Sequence, residues 1–567
     1  MSHAQLTPNA LTVLKQRYLW RKKKGSQESP EEMFHRVAKS VSRGSKSLEK
    51  RFFDAMSALE FLPNSPTLMN AGKKNGQLAA CFVLPIPDDL SGIMDTLKAT
   101  ALIHQSGGGT GFSFSTLRGE KSSVNSSGGY AAGPIGFLSL FNELTQTIKQ
   151  GGLRRGANMG VLQVDHADVE AFINCKSNIN KITNFNISVA VTDNFMKAVR
   201  NAGSWNLKDP RDGKTVKSVR AKEIFDSLCL AAWTTGEPGL IFIDEINRNN
   251  PTPTAGEIEA TNPCGEQPLL PYEACNLGSI NLNAIFSLGS DGVDWNKFGH
   301  LIETGVLFLD QVIDCCHYPL AEINKLCHAH RKIGLGVMGF ADLLLKLKIP
   351  YGSPESLKLA DKVMRFVRDQ CIQVSQKLAQ VSEPFEGYSK SLWKKRGIKP
   401  LRNAALTTVA PTGTISLLAN ASAGIEPVFS YAYQRHVLDG EVLWEIHPQF
   451  KTLMERHNLR YTDLETCAKE GTLVNLPLPD EIKSIFLTTG DLSFENHVKI
   501  QAAFQKHSDS GVSKTINLRQ CSSVEEVKKA FQLAYELRCK GITVYRDGSR
   551  PNQVLQLDSC PDCARIS

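Results

Sequence analysis

An α/β fold built around a mostly parallel sheet or barrel is what this sequence predicts, and three observations carry the prediction. Short β-like runs recur along the chain, longer stretches at helical spacing separate them, and no fixed-period repeat or low-complexity tract suggests another architecture. In chain order, residues 1 to about 60 read as helical, from the amphipathic spacing of PEEMFHRVAKSVSR and LEKRFFDAMSALEFL. Strand-like runs follow: AACFVLPI, TGFSFSTL, MGVLQV, FNISVAV, GLIFI and LTTVAPTGTISLL. Between them lie helix-like stretches, among them AEINKLCHAHRKIGLGVMGFADLLLKLK and LKLADKVMRFVRDQCIQVSQKLAQV. The last segment, SRPNQVLQLDSCPDCARIS, has little apolar content and a proline, so a mobile tail is expected.

Composition narrows the function classes. Of 567 residues, 41% are hydrophobic and 22% charged, a globular balance that allows one large domain with additions or two to three smaller ones. No run approaches the ~18 uncharged apolar residues of a membrane span, and no apolar segment with a cleavage site opens the chain. A soluble, cytoplasmic protein with no membrane partner is expected. The net charge of +8 is modest for this length and suits a charged small-molecule substrate. Its one dense basic cluster, Arg21 to Lys24, is followed at once by acidic and turn residues, which fits a solvated hairpin better than nucleic-acid binding.

Fourteen cysteines in a reducing compartment favour catalytic, redox or metal roles over structural cross-links. Cys175, Cys229, Cys315, Cys316, Cys371 and Cys539 have apolar or helix-like surroundings and read as small buried hydrophobes. Cys327, beside His328 and His330, lacks a second ligand pair at a matching spacing and reads as packing too. More distinctive is NPCGEQPLLPYEACN, residues 262–276, with one cysteine in a tight turn between an amide and a carboxylate and a second cysteine farther on. The residues alone leave a structural disulfide and half of a zinc site open for this pair. The terminal CPDC has the spacing of a thiol–disulfide exchanger and also of half a zinc ribbon; with no second CxxC nearby, exchange is favoured.

Three segments rich in glycine and hydroxyls are HQSGGGTGFSFS (104–115), NSSGGYAAGPIGF with QGGLRRGANMG (125–160), and APTGTISLLANASAGIEP (410–427). None matches a Walker loop or GxGxxG, and each alone is an ordinary turn. Together, with accessible backbone N–H groups, helix-start hydroxyls and the paired Arg154 and Arg155, they point to a nucleotide or phosphorylated substrate.

The set NSPTLMNAGKKNGQLAACFVLP, SGGGTGFSFSTLRG, GGLRRGANMGVL, NPCGEQPLLPYEACNLGSINL and APTGTISLLANASAGIEPVFSYAYQR runs in this order within residues 5 to 563. It resembles the catalytic chain of ribonucleotide reductases, most of all the adenosylcobalamin-dependent class, class II. The resemblance implies a ten-stranded α/β barrel over residues 61–550, with a loop carrying a radical cysteine into its centre. A helical region over 1–60 would precede it and a flexible tail with a CxxC redox pair over 551–567 would follow. The implied activity is reduction of ribonucleotides to 2′-deoxyribonucleotides.

By that resemblance, Cys264 matches the cysteine that becomes a thiyl radical and takes the ribose 3′-hydrogen. Asn262 matches the amide that holds the ribose hydroxyls, and Glu266 the general base on the 3′-hydroxyl. Cys81 and Cys275 match the dithiol that delivers reducing equivalents, and Cys560 and Cys563 the tail pair that re-reduces it, fed by a thioredoxin-like partner. Cys275 would then pair with Cys81, and Cys264 would stay a thiol. The chemistry needs these types together. Expelling the 2′-hydroxyl as water takes a proton donor, a base for the 3′-hydroxyl proton and two electrons, which two thiols supply by closing to a disulfide. Ser65, Thr412, Gly413, Thr414, Ile415 and Ser416 match the lining of the substrate phosphates. Asp89 and Arg118 match groups on the ribose and phosphates of a deoxynucleoside triphosphate effector. Gln150, Arg154 and Arg155 match the loop that relays effector identity to the substrate base, near the interface of a homodimer.

Two absences bear on the class. The chain opens directly at the catalytic region, without the domain of about 90 residues, an ordinary domain size, that senses ATP and dATP in the family; control by that route is not expected. In GITVYRDGSR, Val544 and Tyr545 stand where chains fed by a separate metalloprotein subunit carry two adjacent tyrosines, so an internal radical source is favoured. Adenosylcobalamin is the cofactor this implies, although the DxHxxG pattern of other cobalamin enzymes is missing. The alternative is a catalytic subunit that needs a separate radical-generating metalloprotein. A non-catalytic nucleotide-binding protein with a zinc tail would leave Cys264 idle, and a dedicated thiol–disulfide oxidoreductase gives no reason for Asn262 and Glu266.

Overall fold

The computed structural model describes residues 6–550, apart from 23–24, 125–127, 151–153, 290–291 and 437–441. Three helices open the chain: α1 (Pro8–Arg17), α2 (Pro30–Val41) and α3 (Lys46–Ser57). A hydroxyl caps each, since Thr7, Ser29 and Ser45 accept backbone N–H groups of the first turn. Ser29 and Glu32 complete a capping box. The apolar stripes of α2 (Met33, Val37, Val41) and α3 (Phe52, Met56) are buried where the two helices pack together. Arg21 bridges to Gln27 in a small hairpin and Lys22 pairs with Glu32 at 2.7 Å, as the basic cluster suggested.

Nine strands and one bridging segment then close a ring. The first half is β1 (Cys81–Leu84), β2 (Gly109–Ser113), β3 (Asn158–Gln163), β4 (Phe185–Val191) and β5 (Gly239–Phe242), parallel neighbours in that order. In the second half, β6 (Ala274–Asn281) lies parallel to β7 (Ile333–Met338), which bridges through Leu335 to Thr407. Val409 bridges in turn to Val512, from which the chain enters β8 (Thr515–Leu518), parallel to β9 (Gly541–Arg546). The halves meet at two antiparallel seams, β5 against β9 and β1 against β6. With the 407–409 segment counted as a stave, this is the expected ten-stranded barrel.

Strands covered on both faces have no need of polar alternation, and β1 and β7 are buried at every position. Alternation instead divides two cores. Phe82, Leu84, Phe112, Phe185, Val189 and Leu240 join the large layer beneath the surrounding helices. Cys81, Val83, Val161, Ala190, Ile241, Cys275 and Leu277 form a smaller core inside the ring. Both thiols of the expected dithiol thus face inward.

Two local expectations are corrected. AEINKLCHAHRKIGLGVMGFADLLLKLK is not one helix: helices Ala321–His330 and Phe340–Leu347 flank β7. A fully apolar run carries no period to tell strand from helix. Gly336 suits the strand for another reason, because a Cβ there would lie 2.3 Å from the Thr408 carbonyl oxygen. LTTVAPTGTISLL is not one strand: it bridges into the barrel at Thr407 and Val409, then forms helix Gly413–Leu418. Cys229, Cys316, Cys327, Cys371 and Cys539 are buried, whereas Cys175 and Cys315 are partly exposed. Among the described residues no helix is long and apolar enough to cross a membrane.

Candidate active site

A hairpin enters the ring, with Ala260–Thr261 paired antiparallel to Pro268–Leu269 and residues 262–267 at its tip. Ile258, Ala260, Leu269 and Leu270 anchor its stem in the inner core. Glycine makes the room. A Cβ on Gly111 of β2 would lie 1.7 Å from the Thr261 carbonyl oxygen, and one on Gly511 2.5 Å from that of Gly265. HQSGGGTGFSFS is therefore no phosphate cradle in this fold: Gly107 ends helix Leu90–Ser106 in the left-handed region, and Gly109 and Gly111 flank the hairpin.

Three neighbours hold the tip. Asn186 Nδ2 on β4 donates to the Pro263 carbonyl at 2.8 Å, Thr408 Oγ1 to the Glu266 carbonyl at 2.9 Å, and the Gly511 N–H to the same carbonyl at 2.8 Å. Within the tip, the Gln267 N–H donates to Asn262 Oδ1 at 2.9 Å, which leaves the other end of the amide to reach the seam. There Asn262 Nδ2 donates to Cys81 Sγ at 3.0 Å, and Cys81 Sγ lies 4.0 Å from Glu266 Oε1. Cys81 and Cys275 are register partners across the β1–β6 seam. Opposed residues of an antiparallel pair have Cα atoms about 4.5–5.5 Å apart, inside the roughly 4.4–6.8 Å that a disulfide spans. The structure thus brings Asn262, Glu266, Cys81 and Cys275 together, each at most 3% exposed. Cys264, by contrast, is exposed and borders a cavity of about 930 Å³. All twelve described cysteines are thiols.

The electrostatics divide the roles. Burial pushes the Glu266 carboxyl up to about 7, and its Oε2 has no hydrogen-bond partner. Burial first, then the charge of Glu266, pushes the Cys81 thiol well above its ordinary range, and burial does the same for Cys275. A carboxyl poised near neutrality can exchange a proton, and two thiols held protonated can give protons and electrons. Behind Cys275 lies a buried ion cluster: Glu273 accepts from His330 Nδ1 and Lys332 Nζ, each at 2.6 Å, and from the Leu270 N–H at 2.8 Å. Burial alone would raise this carboxyl, but Lys332 and His330 outweigh it and hold Glu273 at about 2.

Sequence reasoning missed Asn186, Thr408, Gly511 and the Glu273–His330–Lys332 cluster. One signal was available, since Glu273 stands two residues before Cys275 in the most distinctive motif. Asn186 and Thr408 act on main-chain carbonyls, which no residue pattern advertises.

The other expected residues fall in two further regions. Ser65 opens helix Ser65–Asn70 and its Oγ lies 2.8 Å from Tyr18 Oη, just past α1; α1 itself packs on helix Gly413–Leu418, which carries Gly413, Thr414, Ile415 and Ser416. Thr412, at φ 55°, precedes that helix and accepts the Gly424 N–H at 2.7 Å. Asp89 caps helix Leu90–Ser106, and Arg118 pairs with the adjacent Asp88 at 2.9 Å. Gln150 and Arg154 are register partners in a hairpin, with Arg155 opposite Lys149, and the first strand of that hairpin packs on the same helix. Cys560 and Cys563 lie outside the described residues.

A closed barrel with a cysteine-bearing hairpin at its centre and a thiol pair facing across one seam has the parts for thiol–disulfide redox chemistry. The family of the ribonucleotide reductase barrel domain matches residues 79–401 and 394–545, and that of the ribonucleotide reductase all-alpha domain matches residues 4–76. A vitamin B12-dependent ribonucleoside-diphosphate reductase of Thermoplasma acidophilum is 47% identical over 553 residues, covering 97% of this chain and 72% of the relative. One of Mycobacterium tuberculosis is 44% identical over 563 residues, covering 97% and 81%. The solved class Id ribonucleotide reductase alpha subunit of Actinobacillus ureae shares the fold, with a TM-score of 0.79 at 22% identity, covering 96% of this chain and 97% of that one. The chain belongs to the ribonucleotide reductase family.

Proposed function

We propose that this chain reduces ribonucleoside diphosphates to 2′-deoxyribonucleoside diphosphates, with adenosylcobalamin as its radical source. The observation that carries the reading is the register pairing of Cys81 with Cys275 beside the tip bearing Asn262, Cys264 and Glu266. The diphosphate level and the cofactor are those in the names of relatives 44% and 47% identical. The residues present leave room for such a group: the cavity of about 930 Å³ borders Cys264, has Val544 and Tyr545 on its wall, and counts Gly236, Gly239, Gly471, Gly490 and Gly541 among its lining. When bound, adenosylcobalamin supplies the homolytic chemistry that oxidises a thiol to a radical.

The remaining steps belong to the chain. Cys264 takes the ribose 3′-hydrogen and returns it at the end. Glu266, with one oxygen unpartnered, accepts the 3′-hydroxyl proton. Asn262 orients the hydroxyls, and Cys81 and Cys275 give the departing 2′-hydroxyl a proton and supply two electrons. One ribonucleotide and two thiols become one deoxyribonucleotide, one water and one disulfide.

Ser65 and Thr412–Ser416 are the proposed phosphate contacts, a reading supported by Tyr18, which contacts Ser65, and by the preceding helix α1, which packs on helix Gly413–Leu418. A deoxynucleoside triphosphate effector is proposed at Asp89, Arg118 and the Gln150–Arg155 hairpin, in a homodimer. The exposed Leu90, Met94, Leu102 and Leu140 on helices Leu90–Ser106 and Gly133–Thr147 support a second copy there. Re-reduction by a thioredoxin-like protein through Cys560 and Cys563 suits Arg550, which is tied to Glu237 at 2.5 Å on the wall of the Cys264 cavity. A cytoplasmic location belongs to the same proposal, because the thiols need a reducing compartment.

The test is an anaerobic assay with a ribonucleoside diphosphate, a deoxynucleotide effector, a dithiol and adenosylcobalamin, with no second protein. Product that requires the cofactor and disappears in Cys264→Ser is the expected result. No product from diphosphates or triphosphates would overturn the reading in favour of a separate radical-generating subunit.

A further inference from the structure

Outside the barrel, helices Pro354–Val381, Leu392–Lys395 and Phe494–Gln505 border a cleft of about 1060 Å³ that the reaction above does not use. Nine lysines and arginines line it, against four carboxylates. Three of the four are engaged: Asp361 with Arg365, Lys506 and His507, Glu245 with Arg248 at 2.6 Å, and Glu536 with Arg200 at 3.5 Å. The fourth, Asp509, turns one oxygen to the N–H groups of Leu406 and Thr407 and approaches Arg368 only to 4.0 Å.

The cations left over settle for neutral partners. Arg396 donates to the Asn249 amide oxygen at 3.0 Å, and the buried Lys540 to the main-chain carbonyls of Asp509 and Ser510. Arg368 Nε is buried without a hydrogen-bond partner. Arg368 and Arg396 line the same cleft, and partial burial of Arg396, then the charge of Arg368, lower its proton affinity against the opposing pull of Asp509. Such a pair is relieved by an anion between them, and a planar fork of donors matches phosphate oxygens bidentately. Lys358 and Lys499 extend the positive wall beyond what a single phosphate would neutralise.

We propose that this cleft binds a polyphosphate group, free or carried by a nucleotide, at a site distinct from the substrate and effector positions. Its volume is that of a small-molecule site rather than a flat docking face. Asp509 on its wall lies two residues before Gly511, whose N–H holds the Glu266 carbonyl of the hairpin tip. A short stretch of chain, residues 509–511, thus connects the cleft to the hairpin tip.

The test is calorimetric titration of the full chain with inorganic tripolyphosphate and, separately, with ATP, after saturation with substrate and deoxynucleotide effector. One further equivalent is expected to bind. Arg396→Glu with Lys499→Glu, both on exposed side chains, should weaken it at least tenfold without changing the melting temperature or the basal turnover. Lys358→Glu, on another helix, should weaken it as well. Equal affinity for the two probes assigns the bare phosphate chain, and tenfold tighter ATP assigns a nucleotide; both uphold the site. No further equivalent of either probe, or binding unchanged in these variants, overturns it.

Discussion

Replacing Glu266 by glutamine removes a charge that the fold holds unfavourably, and the size of the effect can be worked out from the site. The carboxyl is 2% exposed, its Oε2 has no partner, and burial raises its pKa from 4.5 to about 7. A difference of that size corresponds to roughly 3 kcal/mol between the protonated and ionised forms, at ~1.4 kcal/mol per pKa unit. The folded state binds the proton more tightly than the unfolded state. Wild type is therefore favoured below about pH 4.5, loses that advantage as pH rises through about 7, and carries the whole penalty above it. Glutamine is neutral throughout, and any hydrogen bond it gains or loses is the same at every pH. Urea denaturation of both proteins at about pH 5 and pH 8.5 measures the effect as a difference of differences. The variant should gain roughly 2–3 kcal/mol on wild type between the two conditions, while turnover falls by about 10²–10⁴ with the general base gone. A stability difference that stays constant with pH would refute the burial argument, and unchanged turnover would remove Glu266 from the mechanism.

Other expectations follow from single contacts. Gly111→Ala puts a Cβ against the Thr261 carbonyl oxygen, so the hairpin must shift; a cost of about 1–3 kcal/mol and a turnover loss of about tenfold or more are expected in melts and assays, and full activity would show that the approach is not needed. Glu273→Gln leaves the buried Lys332 without its charge partner, a loss of about 3–5 kcal/mol at neutral pH. Because Glu273 titrates at about 2, the wild-type advantage should persist above about pH 4.5 and shrink as pH falls toward 2; a deficit that does not narrow on acidification would count against the pairing. Cys560→Ser with Cys563→Ser should keep turnover with a small dithiol and lose it with thioredoxin, whereas equal rates with both reductants would exclude the tail as the relay.

The helical start and the first five barrel strands are legible in the sequence because their apolar spacing matches what they bury, as in the stripe of α2 or the run FNISVAV. β7 is less so, since Ile333–Met338 packs on both faces and carries no alternation. Glycine misleads in another way: Gly109 and Gly111 look like a phosphate loop, yet a hairpin distant in sequence occupies the space beside them. At the site, Cys264, Asn262, Glu266 and the two seam cysteines stand out through resemblance, while the contacts that fix their geometry do not. Asn186 and Thr408 hold carbonyls far away in the chain, and only closure of the ring brings them near.

The antiparallel seam between β1 and β6 also has a mechanical meaning. In the proposed reaction, oxidation of Cys81 and Cys275 would tie positions 81 and 275 together with a covalent staple across the join between the two half-barrels. Closing so long a loop denies the unfolded chain roughly 5 kcal/mol of conformational freedom by the chain-entropy model. Each turnover would thus fasten the ring and each reduction unfasten it, so that the spent enzyme is the sturdier form. A higher melting temperature after a single turnover without reductant than before it would register that staple directly.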